Sequence, residues 1–177
     1  VTIYHNEMPL KMVETTDGWA GRKAIDCYLR FAKTILTRYK DVVKYWIPFN
    51  EINDLTTPVG NWNHGGIKNP GTENFSDQKD NPDKRYAALH NQFVASAKTV
   101  IMGHEINPEF KFGTMICHIT VYPLTPKPED VLATQQEDQL RNCFSGDVQI
   151  KGEYPYFMKR YFEKNNIHFE VTEEDLK

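Results

Sequence analysis

The sequence predicts an α/β chain whose parallel strands are joined by right-handed helical crossovers. Two observations carry that expectation. Apolar, strand-like runs alternate with amphipathic stretches in the order strand, helix, strand, helix, strand, helix. The third strand-like run is apolar at most positions, as in a parallel strand covered on both faces. No repeat, low-complexity tract or linker interrupts the 177 residues, so residues 1–177 are expected to form one segment.

The first strand is read in VTIYHNEMP, where Val1, Ile3 and His5 alternate before Pro9. A helix follows over 24–40, with Ile25, Tyr28, Leu29, Ala32, Leu36 and Tyr39 on one face. VVKYWIPFNE gives the second strand. The stretch 53–81, rich in Gly, Asn, Asp and Pro, reads as a long surface loop. Asn81-Pro82 opens a second helix, with proline suited to its first turn. Leu89, Phe93, Ala97, Val100 and Ile101 mark its expected apolar face, and Asn107-Pro108 its end. The third strand is predicted in FKFGTMICHITVY, with further helices near 129–141 and 154–165. Thr172-Glu173-Glu174-Asp175 is a capping box that would open a helix running to Lys177.

Composition narrows the function class. A formal charge of −3 with 25% charged residues gives no electrostatic reason to expect nucleic acid or an anionic membrane as partner. No apolar run approaches the roughly 20 residues that span a bilayer. Cys27, Cys117 and Cys143 are odd in number and widely spaced, which fits a reduced, cytoplasmic compartment rather than a disulfide framework. The sequon Asn74-Phe75-Ser76 would matter only in a secreted chain. Val1 falls inside a strand, so an internal piece of a longer protein is expected.

The chemistry is concentrated in YWIPFNEIN, where an apolar strand ends in Asn50-Glu51. Burying an amide or a carboxylate without a partner is costly, so such a pair belongs at a strand's mouth, facing a cleft. If Tyr45, Ile47, Phe49 and Glu51 share a face, the acid ends an apolar row, a setting that suits proton donation near neutrality. His5, also past a strand end, would lie at the same mouth, where ligands bind in parallel folds. The plainer alternative makes Glu51 a structural ion pair and His5 a satisfied core histidine. Pro48 lacks an N–H for the ladder, and a bulge that aims Glu51 would account for it.

FNEIN after an aromatic-rich strand resembles the Asn-Glu signature of glycoside hydrolase family 1. VTIYHNEMPL resembles that family's preceding strand, and Gly18, Trp19 and Arg22 match further positions. INPEFKFGTMI leading into VYPLTPKPEDV is most similar to the 6-phospho-β-glucosidase branch. The resemblance implies a (β/α)8 TIM barrel performing retaining hydrolysis, of which this chain holds a part, from the third strand to the helices after the fifth. It implies Glu51 as general acid/base, Asn50 as the amide that binds the sugar 2-hydroxyl, and His5 as a sugar contact. Trp19 would be structural, while Trp62 and His64 of the long loop could line the aglycone side. Asn6 departs from the aromatic residue that many members carry after the histidine.

A retaining mechanism needs a second carboxylate about 5–5.5 Å from the acid/base. The family takes it from a Glu-Asn-Gly motif, which does not occur here; Glu7, Glu73 and Glu170 stand in other contexts. The expectation is therefore a fragment of an enzyme hydrolysing β-glucosides or 6-phospho-β-glucosides, inactive alone. Three strands of a barrel leave two sheet edges open, which favours self-association. The alternative is a non-catalytic sugar-binding module, or pseudo-enzyme. No cofactor is implied, and no metal site is expected: His90, His104, His118 and His168 fall into no His-Glu-x-x-His spacing.

Overall fold

Three parallel strands lie side by side in the order β1-β2-β3 in the computed structural model, which describes residues 1–176. Strand β1 (Thr2–Tyr4) pairs with β2 (Tyr45–Phe49), Thr2 opposite Ile47 and Tyr4 opposite Phe49. Strand β3 (Lys111–Phe112) pairs with the other edge of β2, Tyr45 opposite Lys111. Helices α1 (Leu10–Thr16) and α2 (Lys23–Arg38) connect β1 to β2. Helices α3 (Pro58–Asn63) and α4 (Pro82–Ile106) connect β2 to β3. After β3 come α5 (Pro128–Asp138), a π-helical turn (Gln139–Cys143), α6 (Phe144–Lys151) and α7 (Tyr156–Asn165). None of the described helices is long and apolar enough to cross a membrane.

Aromatic packing fixes the first half of the sheet against α2. Tyr28 of α2 stacks on Phe49 at 4.7 Å, and its hydroxyl donates to the Pro48 carbonyl. Trp19 meets Tyr4, Tyr28 and Phe49 edge-on at 5.2–5.6 Å and is 1% exposed, a structural position as predicted. Each such ring hides roughly 150–250 Å² from water, so this cluster dominates the local core. Its entry turn requires glycine. Gly18 has φ +59°, and a Cβ there would lie 2.2 Å from the Gly65 carbonyl oxygen.

Helix α4 begins as predicted, with the Asn81 side chain accepting from the Lys84 N–H and Pro82 in the first turn. Its buried face differs from the expected one. Ala97 and Ile101 are exposed, and the contact runs through Phe93, Ser96, Thr99 and Gly103. Small residues win there because the sheet comes close: a Cβ on Gly103 would sit 2.2 Å from the Phe112 ring.

Other expectations are corrected. The third strand is two residues long, not thirteen, and residues 113–123 run on without a ladder. Pro48 supplies the reason. Lys111 N–H donates to Lys44 O and Gly113 N–H to Trp46 O, so the next rung would need an N–H from residue 48. Proline has none, and the ladder stops; with β2 in even register on β1, Pro48 marks that stop and not a bulge. The stretch 53–81 is not one surface loop. It holds a 3-10 turn (Ile52–Thr56) and α3, and it buries Leu55, Asn61, His64 and Ile67. Tyr45 is 69% exposed and Phe49 fully buried, so the proposed row ending in Glu51 is not one surface.

The predicted capping helix is a 3-10 turn (Glu173–Leu176), and Lys177 lies outside the described residues. Asp175 does accept from the Thr172 N–H, as a capping box would have it. The same carboxylate also takes both arms of Arg22, at 2.7 and 2.9 Å, and approaches His90 Nε2 at 3.2 Å. His90 Nδ1 in turn meets the Tyr154 hydroxyl at 2.8 Å. This chain of bonds ties the C-terminal segment to α2 and α4.

Candidate active site

Glu51 and His5 both follow the C-terminal ends of neighbouring parallel strands, β2 and β1, and so open on the same side of the sheet. A left-handed residue ends each strand two positions beyond its last ladder residue: Asn6 at φ 73° and Glu51 at φ 41°. Asparagine adopts that conformation readily, which gives Asn6 a physical reason to stand where an aromatic residue was expected. Glutamate does not, at a cost of roughly 1–2 kcal/mol. The strain re-aims the Glu51 side chain away from strand alternation, toward the residues that follow it.

Those residues are Asp54, from the 3-10 turn, and His64, which follows α3. A carboxylate oxygen of Glu51, one of Asp54 and a ring nitrogen of His64 all lie within 4.8 Å of one another. His64 Nδ1 is 3.8 Å from Asp54 Oδ2. Cys117, on the unladdered continuation of β3, lies beside the two carboxylates. Asn53 brings it there: its side chain accepts from the Cys117 N–H at 2.9 Å and donates to the Cys117 carbonyl at 2.8 Å and to the Arg141 carbonyl at 2.9 Å.

Burial sets the electrostatics. It pushes the Asp54 carboxyl above the usual carboxylate range, with the Glu51 charge adding to the rise and His64 opposing it. Burial holds His64 below the ordinary imidazole value, so the ring is neutral at pH 7, although both carboxylates pull the other way. His5 is close enough to reinforce that lowering. The Cys117 thiol is raised by burial and by the same two acids. Neither ring nitrogen of His64 has a hydrogen-bond partner, although the residue is only 2% exposed. Its carbonyl, in contrast, accepts from Tyr4 Oη and Gln92 Nε2.

Among the sequence-predicted residues, Asn50 is 5% exposed at the strand end, and its N–H donates to the Tyr4 carbonyl. Glu51 is half-buried and pairs with no arginine among the described residues; Arg141 is taken by Glu137. His5 is exposed, so the core-histidine alternative does not describe it. Trp62 borders a groove of about 530 Å³ with Asn6, Met8 and Gly66, whereas His64 is buried and not an exposed loop residue. His90, His104 and His168 each find separate polar neighbours. Asp54 and His64 as neighbours of Glu51 escaped the sequence reading, because the turn that unites them was taken for open loop.

Comparison with known proteins identifies the family and the fold. The model of the family described as Glycosyl hydrolase family 1 matches residues 1–177. An aryl-phospho-β-D-glucosidase, BglH of Bacillus subtilis (strain 168), is 46% identical over 99% of the chain and 35% of its own length. A 6-phospho-β-glucosidase of Clostridium longisporum is 42% identical over the same shares. Among solved structures, a β-glucosidase from Exiguobacterium marinum superposes with a TM-score of 0.78 at 26% identity, over 99% of this chain and 38% of that one. The chain thus spans about a third of the length of the curated relatives it matches.

Proposed function

The chain belongs to glycosyl hydrolase family 1, and from that premise we propose that it is the acid/base-bearing part of a retaining β-glycosidase acting on 6-phospho-β-glucosides. Its three parallel strands with their helices are part of the (β/α)8 barrel of that family. The observation that carries the reading is Glu51: a half-buried carboxyl, free of arginine, strained into position just past a strand's C-terminal end. In the first step Glu51 gives its proton to the glycosidic oxygen as the bond to the anomeric carbon breaks and a nucleophilic carboxylate takes that carbon. In the second step the Glu51 carboxylate removes a proton from the water that displaces the enzyme. In this reading Asn50 holds the sugar 2-hydroxyl and His5 a further hydroxyl. The phosphorylated substrate rests on the names of the relatives. Three free thiols fit a reducing, cytoplasmic setting.

Without a Glu-Asn-Gly motif, residues 1–177 supply one half of the catalytic pair, and the chain alone is inactive. The test is a chimera in which these residues replace the corresponding segment of the B. subtilis aryl-phospho-β-D-glucosidase. E51Q in that chimera is expected to slow hydrolysis of 6-phosphoglucosides with alkyl leaving groups by about 10²–10⁴-fold. Dinitrophenyl glucosides, whose leaving group needs no proton, should be far less affected in their first step. Equal activity of the chimera and its E51Q variant on alkyl substrates would remove Glu51 from the mechanism.

A further inference from the structure

We propose that Glu51, Asp54 and His64 form a binding site for one divalent transition-metal cation of the Zn²⁺ class. Three donors of the right kinds converge there, two carboxylates from one turn and one imidazole from the end of α3, within 4.8 Å of one another. A cluster of acids alone would carry nothing. The independent observation is His64, 2% exposed, with both ring nitrogens lacking a partner and Nδ1 directed at Asp54. Leaving a buried polar side chain unsatisfied is costly, and a coordinating ion would relieve that cost at Nδ1.

The geometry needs little adjustment. Donors each about 2.1 Å from a shared tetrahedral ion stand about 3.4 Å apart. The 3.8 Å separation of His64 Nδ1 and Asp54 Oδ2 is close to that already. Glu51, half-buried, completes the set with a carboxylate oxygen within 4.8 Å of both other donors. Cys117 lies beside the carboxylates but outside this group of three donors, which leaves the fourth position to water.

The consequence for catalysis rests on the acid/base reading of Glu51. An ion there occupies the carboxylate that must carry the proton, so the cation is an inhibitor and not a cofactor. Binding itself does not depend on that reading, and it is measured without turnover. Isothermal titration of the chain with ZnCl2 at pH 7 should show one saturable site of micromolar affinity, accompanied by a rise in melting temperature. MgCl2 should show none, since imidazole favours the softer ion. D54N and E51Q should each weaken Zn²⁺ by about tenfold or more, while H118N, outside the cluster, leaves it unchanged. Circular dichroism confirms folding of each variant, and E51Q decides alone should D54N not fold. Absence of a saturable Zn²⁺ heat, equal binding of Mg²⁺, or an unaltered affinity in folded E51Q would overturn the site. The chimera's response to E51Q tests the acid/base role separately.

Discussion

Two clusters in this chain use the same side chains and arrive at opposite electrostatics. Around Asp175 every polar atom is spoken for: two bonds from Arg22, one from the Thr172 N–H, one with His90, and Tyr154 behind the histidine. Burial would raise that carboxyl, but the bonds from Arg22, Thr172 and His90 prevail and hold it well below the usual range. Around Asp54 no arginine among the described residues bonds the acids, Arg141 acting only through its charge while paired to Glu137; His64 leaves both nitrogens unpartnered, and burial drives the carboxyl upward. Residue type therefore does not separate a structural clamp from a reactive site. Saturation of the hydrogen-bonding capacity does.

The sharpest way to break this comparison is D175N. The side chain is wholly removed from solvent, while Arg22 is 35% exposed and can partly rehydrate. Loss of the charge should cost about 3 kcal/mol, toward the lower end for a broken buried pair, read as a fall in the urea midpoint. A change below about 0.5 kcal/mol would show that the clamp is no stronger than a surface pair.

A smaller effect, spread over pH, comes next. His64 and His90 both have lowered folded values, chiefly through burial, so the unfolded chain binds protons more readily. Stability should begin to fall as pH drops through about 6.5. The depressed Asp175 carboxyl contributes above its unfolded value near 3.9, and that contribution is lost as pH falls further. Urea melts from pH 7 to 3 should therefore show two declines; D175N removes the lower and, because Asp175 holds the His90 value up, deepens rather than relieves the upper. The smallest effect belongs to D54N. Its carboxyl is raised in the folded chain, so the protonated form favours folding and that advantage is gone by neutral pH. Removing the charge at pH 7 should leave the unfolding free energy from urea melts unchanged or raise it by up to about 1 kcal/mol; a loss comparable to that of D175N would erase the distinction.

Much of this architecture was legible in the order of elements. Alternating apolar runs located β1, β2, α2 and α4, and the Asn81-Pro82 cap set the start of α4 to the residue. The Asn50-Glu51 pair and His5 stand out as polar residues at strand ends, while the roles expected of them come from the family resemblance. The remainder depends on contacts that local pattern does not encode. The α4 face followed a close approach of Phe112 to Gly103, not the run of apolar residues at Ala97 and Ile101. The turn after Glu51 is polar in sequence yet folded inward, because Asn53 spends its amide on the backbone of two distant segments. Without that fold Asp54 and His64 read as loop residues.

The proline at position 48 has a mechanical outcome. Past Gly113 the chain beside β2 has no zipper of backbone bonds to fix its height above the sheet, and side-chain amides grip it instead, Asn53 at Cys117 and Asn142 at Ile119. The Asn53 amide stands two positions from the acid. The wall carrying Cys117 and the glutamate opposite are thereby pinned to a common post, so a shift of either is felt by the other without passing through the strands.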